Sequence, residues 1–356
     1  MRFLSLAASV ACALALTAVP ASSDPGNPAL RHAVERVAAE SRAPGFQFAV
    51  ARDGAVVAAI SLGWADEATK TPVGDSTLFA LASCSKPLTA MALMSLVDQQ
   101  KVSLDTKVFP FLGLSGARDP RVETVTVKEL LDHSAGFPHD IPATSDDPMA
   151  VARRALAVQL RFAPGTKQEY SNAGFNIAGA VIEKAGGEEY HAYVQEHVFA
   201  PAGVTDAAWL ERGRPIPAEA TRYGDDGRPV VDERHMGAFT PAGGWVLSAT
   251  DMVKILSAYA AGKIVSAQSR DAMLAPPEPP LGPRKDGSAF GLGWDVVLRE
   301  AGGVYYGKNG GIDGAHTWIE HRPDGADVAV LYNGGDGKAA HRPGLKPIET
   351  VLDRLR

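Results

Sequence analysis

Cysteine is almost absent. The 356 residues contain only Cys12 and Cys84, and Cys12 lies inside an apolar run at the very start of the chain. A chain processed after that run keeps Cys84 alone, so an internal disulfide is excluded and a packed core must hold the fold. No later apolar run approaches the roughly 20 residues a bilayer-spanning helix requires. An excess of positive charge is also lacking: 35 Lys and Arg face 41 Asp and Glu, scattered along the chain, for a net charge of −6. Without a basic stripe there is no footprint for nucleic acid. Internal repeats and low-complexity segments are missing too, which excludes solenoids and arrays. Small molecules or cell-wall material remain as partners.

What is present is a globular composition, 46% hydrophobic, with enough apolar side chains for a sizeable core. The opening stretch, MRFLSLAASVACALALTAVPASSDPG, joins Arg2 to an apolar run from Leu4 to Val19 and the small residue Ala21. It reads as a cleavable leader over residues 1–21, giving an exported protein, periplasmic or secreted. A lipid anchor at Cys12 is disfavoured because SVAC lacks a leucine three residues before the cysteine.

The rest, residues 28–356, reads as one α+β domain. Leu30, Val34, Val37 and Ala38 share one face of a first helix. FQFAVARDGAVVAAISLGWA follows as two strands around an Asp53-Gly54 hairpin turn. Near the other end, GVYYGKNGGIDGAHTWIEHRPDGADVAVLYNGG breaks at Gly310-Gly311 and at Asp324-Gly325, predicting three strands, and KPIETVLDRLR predicts a closing helix. About five strands would thus form an antiparallel sheet flanked by the terminal helices, built from residues 28–82 and 289–356. A mainly helical part, residues 83–288, is inserted between the halves, with helices expected over 88–100, 125–133, 176–185 and 249–261. A Pro-rich loop, Ala275 to Gly287, leads back to the sheet.

Chemistry concentrates at FALASCSKPLTA, where Ser83 stands near a helix start and Lys86 one turn further on the same face. A helix N-terminus favours developing negative charge, and a lysine with a depressed pKa can take a serine proton. In isolation this pair is more commonly a helix cap beside a solvated lysine. Tyr170 and Asn172 form the only Tyr-x-Asn in the chain, otherwise a surface turn with Asn172 as N-cap. Lys-x-Gly occurs three times, at Lys184, Lys285 and Lys308. Lys184 ends a helix and Lys285 lies in the Pro-rich loop, whereas Lys308 closes an apolar strand before a Gly-rich turn.

ASCSKPLTA, LLDHSAGFP, PGTKQEYSNAGFNIAG, PAGGWVLSATDM and GKNGGIDG together resemble the serine β-lactamase and penicillin-binding protein superfamily, in the branch of class C β-lactamases, D-alanyl-D-alanine carboxypeptidases and β-lactamase-fold esterases. The resemblance implies a β-lactamase/transpeptidase-like fold with Ser83 as acylated nucleophile. Lys86 and Tyr170 would move its proton. Asn172 would bind the substrate amide or Lys86, Lys308 would supply positive potential or bind a substrate carboxylate, and the backbone N–H groups of Ser83 and Gly311 would form an oxyanion hole. No cofactor and no metal are implied. Asn309 stands where the family has the threonine of Lys-Thr-Gly, leaving a neutral amide as the substrate contact there. His139 and Asp140 fall about where class C enzymes carry an amide-binding glutamine.

Other patterns weigh less. There is no Gly-x-Ser-x-Gly elbow, and His191 and His197 do not share the one-face spacing of a zinc site. Cys84 is turned about 100° from Ser83 along a helix and reads as a small buried residue. The expected function is a serine acyl hydrolase on a short ester, a D-amino-acid peptide or a β-lactam. A binder or sensor that acylates and stops is the alternative of another class.

Overall fold

The computed structural model describes residues 27–231, 235–278, 281–284, 287–298, 304–340 and 342–354. The expected leader, with Cys12, and the Lys285-Asp286 part of the Pro-rich loop lie outside them. Strands are β1 (Gly45–Arg52), β2 (Ala55–Asp66), β3 (Thr71–Pro72), β4 (Phe79–Ala80), β5 (Ala208–Trp209), β6 (Trp245–Leu247), β7 (Ser288–Phe290), β8 (Asp295–Leu298), β9 (Val304–Ile312), β10 (Ala315–His321) and β11 (Ala326–Tyr332). The main sheet is antiparallel, ordered β3-β2-β1-β11-β10-β9-β8-β7, with β4-β6-β5 as a small second sheet. The five expected strands form the centre of the main sheet. It has eight strands rather than about five because β3 and the β7–β8 hairpin, each too short for a periodic signal, extend its edges.

The β1–β2 turn lies at Asp53-Gly54, where both residues take positive φ, 50° and 80°, the hand that matches strand twist. The β9–β10 turn corrects the sequence reading. It falls at Asp313-Gly314, and Gly310 and Gly311 lie inside the ladder opposite Thr317 and His316. Gly310 is small for packing, not for turning: a Cβ there would stand 2.4 Å from Leu81 O and 2.3 Å from Thr317 Oγ1. Lys308 therefore sits within a strand, not at its end.

Alternation along β1 and β11 divides two cores. Phe46, Phe48, Val50, Val328 and Val330 pack with Leu30, Val34, Val37 and Ile348 of the terminal helices, Pro28–Ser41 and Arg342–Leu352. Ala49, Ala51, Ala329 and Leu331 face the helical region. Both faces are covered, so these strands read as almost unbroken apolar runs. The first helix begins where Asn27 Oδ1 accepts from the N–H groups of Ala29 and Leu30, with Pro28 at its first position.

In the helical region the four expected helices run over Ser85–Asp98, Val127–Leu131, Asn172–Gly186 and Ala249–Ala260. The first is apolar on all sides and buried from Ser85 to Leu96, which makes it the axis of the larger core. Among the described residues no helix is long and apolar enough to cross a membrane.

Candidate active site

Ser83 occupies a 3-10 turn, Ala82–Cys84, that runs directly into the buried helix Ser85–Asp98. The turn is held from both sides. Leu81 N–H donates to Trp245 O at 2.8 Å, and Thr317 Oγ1 donates to Leu81 O at 2.8 Å. Ala82 adopts φ 48°, a left-handed conformation that costs a non-glycine residue about 1–3 kcal/mol and persists only when its surroundings fix it. Cys84 points the other way, into β9, with its Sγ donating to Lys308 O at 3.3 Å. Burial pushes this thiol up to about 12, so it is no nucleophile at neutral pH.

Lys86 is wholly buried one turn after Ser83, and its Nζ has three oxygen partners: Ser83 Oγ at 3.2 Å, Asn172 Oδ1 at 2.7 Å and Ala242 O at 2.7 Å. Burial, and next the nearby charge of Lys308, lower its pKa well below the usual lysine value. A neutral amine has two N–H bonds and one lone pair. The two carbonyl oxygens take the N–H bonds, which leaves the lone pair for the Ser83 hydroxyl.

Tyr170 and Asn172 arrive at the start of the helix Asn172–Gly186. Ser171, not Asn172, is its N-cap, accepting from Gly174 N–H at 3.3 Å, so the Asn172 side chain is free to turn inward. Its Nδ2 donates to Asp140 Oδ1 at 3.0 Å, and Asp140 Oδ2 meets His139 Nδ1 at 2.5 Å. Tyr170 OH lies 2.5 Å from Ser83 Oγ. Burial raises the phenol's pKa, so it holds a proton that it can donate to Ser83 Oγ. The Nζ atoms of Lys86 and Lys308 stand 4.8 and 5.1 Å from the centre of its ring.

Lys308, 3% exposed, donates to Asp295 Oδ2 at 2.8 Å. β8 pairs with β9 only as far as Gly307, so the stretch from Lys308 to Ile312 runs unpaired on that edge, beside the Ser83 turn. The Cβ position of Gly310 is 3.0 Å from Ser83 N. Gly311 is exposed on the same stretch. The structure thus brings Ser83, Lys86, Tyr170, Asn172 and Lys308 together, with Gly311 near them. Asn309 is different. It is half-buried, stands by alternation on the face of its cross-strand neighbour Trp318, and joins no described hydrogen bond to the cluster.

A sequence model of the family described as Beta-lactamase matches residues 30–345. The chain belongs to the beta-lactamase family. Among its relatives, penicillin-binding protein PbpX of Bacillus subtilis is 26% identical over 80% of this chain and 69% of that protein. Esterase EstB of Burkholderia gladioli is 28% identical over 83% of this chain and 87% of that protein. Other curated relatives are matched over less than half their length. A solved beta-lactamase/D-alanine carboxypeptidase from Pseudomonas syringae superposes with TM-score 0.77 over 92% of this chain and 98% of that one; at 19% identity it speaks for the fold alone. The alpha+beta architecture is therefore that of beta-lactamase-family hydrolases.

Some beta-lactamase-fold site residues escaped the sequence reading. Asp295 becomes a neighbour of Lys308 only through the β8–β9 register, which pairs it with Gly307. Ala242 contributes a backbone oxygen, which no side-chain pattern can reveal. His133 packs tilted against Tyr170, ring centres 4.6 Å apart, its Nδ1 accepting from Ser171 N–H at 3.2 Å, and burial lowers its pKa well below the usual histidine value. Elsewhere, Glu188, Glu196 and His197 bring ligand-type atoms within 4.8 Å of one another, and an open groove of about 910 Å³ is lined by Asp146, Glu183, His191 and Trp209. Neither shares a residue with the Ser83 cluster.

Proposed function

We propose that this chain is an exported serine acyl hydrolase acting through a Ser83 acyl-enzyme on small esters or on amides of D-amino-acid or β-lactam type. One observation carries the reading: Ser83 Oγ lies within hydrogen-bond reach of a buried lysine, whose pKa burial lowers, and of a buried tyrosine, whose pKa burial raises. Lys86 accepts the serine proton as Oγ attacks the substrate carbonyl. The oxyanion then forms between the backbone N–H groups of Ser83 and Gly311. Tyr170 gives its proton to the departing oxygen or nitrogen, and the Lys86 ammonium restores the phenol. Water enters by the reverse path and releases the acid.

Asn172 holds Lys86 through Oδ1, the second of its two expected roles, and Lys308 sets the potential around Tyr170. Asn309 is proposed only as a contact at the rim of the strand. The likeness to esterase EstB, matched across most of both chains, supports testing esters first among the substrates. The test is turnover of p-nitrophenyl butyrate, a chromogenic cephalosporin and a D-alanyl-D-alanine peptide by the purified chain and by Ser83→Ala. Multiple turnover of at least one substrate that vanishes in the variant is expected. A single stoichiometric acylation without turnover would favour a penicillin-recognising binder, and hydrolysis by Ser83→Ala at the wild-type rate would refute the reading.

A further inference from the structure

Lys308 is not waiting for an anion, because the protein has placed one on it. Asp295 opens β8 where the register sets it against Gly307, next to Lys308. Its Oδ2 accepts from Lys308 Nζ at 2.8 Å, and its Oδ1 accepts from Arg284 Nη2 at 2.9 Å. Arg284 is fixed in turn: Nε donates to Ser288 Oγ at 2.7 Å and the guanidinium lies 4.3 Å from the centre of the Phe290 ring. That ring also stands 5.7 Å from Lys308 Nζ and 6.2 Å from the Tyr170 ring. Both oxygens of the carboxylate are thus engaged by cations at the edge of the Ser83 cluster. Charge-assisted bonds of this kind are short and strong.

We infer that Asp295 is a specificity-determining residue: its carboxylate occupies Lys308 in place of a substrate carboxylate, and so directs the site toward acyl donors whose leaving group is uncharged. The inference rests on the serine-hydrolase reading of this same site. A carboxylate brought to Lys308 must either displace Asp295, leaving that anion paired with Arg284 alone, or lie beside it as a like charge. A neutral leaving group meets neither cost. Lys308 keeps further N–H bonds, but its charge is already compensated by Asp295, so an incoming carboxylate gains less there than it would from an unpaired lysine.

The test uses the full chain and two isosteric esters, 3-carbamoylphenyl butyrate and 3-carboxyphenyl butyrate. Their kcat/KM ratio cancels any loss common to both. The wild type is expected to favour the neutral ester by about tenfold or more, and Asp295→Asn to move the ratio toward the carboxylate by about tenfold, through KM rather than kcat. Asp295→Glu should keep the wild-type preference, and adding Lys308→Ala to Asp295→Asn should abolish the gain. If thermal melting shows Asp295→Asn to be unfolded, Arg284→Gln, which loosens the same carboxylate, must move the ratio in the same direction. A ratio unmoved in the folded variants overturns the inference. Fluorophosphonate labelling of the wild type separates the two failures: a labelled Ser83 with an unmoved ratio overturns this inference alone, and an unlabelled Ser83 overturns the hydrolase reading with it.

Discussion

The amine of Lys86 reaches Ser83 Oγ at 3.2 Å and Asn172 Oδ1 at 2.7 Å, with no histidine between base and nucleophile. In the proposed mechanism proton transfer falls to a lysine whose pKa burial lowers. Lys86→Ala and Tyr170→Phe should each lower acylation by about a hundredfold or more, the usual scale for losing a positioned acid or base. Pre-steady-state acylation with p-nitrophenyl butyrate measures it, and wild-type rates in both variants would contradict the assignment.

The direction of the Lys86 shift fixes a pH dependence. As base, Lys86 works unprotonated, so kcat/KM should rise with pH as it loses its proton, along a limb that lies well below the ordinary lysine value of 10.5. Lys308→Ala removes the cation that assists this depression, and should move the limb to higher pH. A limb that moves to lower pH, or a rate that falls as pH rises through it, would contradict the role.

Asn172 is oriented by Asp140, since a carboxylate only accepts and so takes the amide's Nδ2 end. With Nδ2 fixed on Asp140, Oδ1 must face Lys86. Asp140→Ala should lower kcat about tenfold by freeing the amide, while Asp140→Asn, which can still accept from Nδ2, should recover part of the loss. Equal activity in both variants and the wild type would show that the amide needs no such anchor.

Gly310 separates packing from turn formation. A Cβ there meets Thr317 Oγ1 at 2.3 Å and Leu81 O at 2.4 Å, so Gly310→Ala should destabilise by about 1–3 kcal/mol and lower activity by pushing β9 from the Ser83 turn. Gly74, where an added Cβ meets nothing within 4 Å, is the control. Urea unfolding of the two variants should differ by that amount, and equal stability would contradict the close approach.

His133 makes the fold acid-sensitive. Burial first, then Lys308, Lys86 and Arg284, keep it neutral when folded, while the unfolded chain takes up a proton below about the ordinary value of 6.5. Stability is lost as pH falls from there toward the depressed folded value, by up to about 1.4 kcal/mol per pH unit. His133→Asn removes this loss, so the stability gap between wild type and variant should shift in the variant's favour as pH drops. A gap independent of pH would show that His133 does not titrate differently in the two states.

The sequence carries the central strands and the nucleophile pair because both are local. Phe46 to Ala51 form an almost unbroken apolar run, Asp53-Gly54 announces its turn, and Lys86 follows Ser83 by one helical turn. The sequence misleads where one residue type serves two ends. Gly310 and Gly311 look like a turn, yet they lie inside the ladder, and Gly310 is small so that β9 can pass Leu81 and Ser83, a contact spanning more than 200 residues. Asn172 looks like a cap because asparagine caps helices, but Ser171 does that work. Asp295, Arg284 and the Ala242 carbonyl are joined to the site only by tertiary structure, and no spacing along the chain marks them.

The central claim is that Ser83 is the group acylated. Intact mass and peptide mapping after treatment with a fluorophosphonate test it most directly. One adduct per chain, on the peptide holding Ser83 and absent in Ser83→Ala, is the result predicted. An adduct on another serine, or one that persists in Ser83→Ala, contradicts the account.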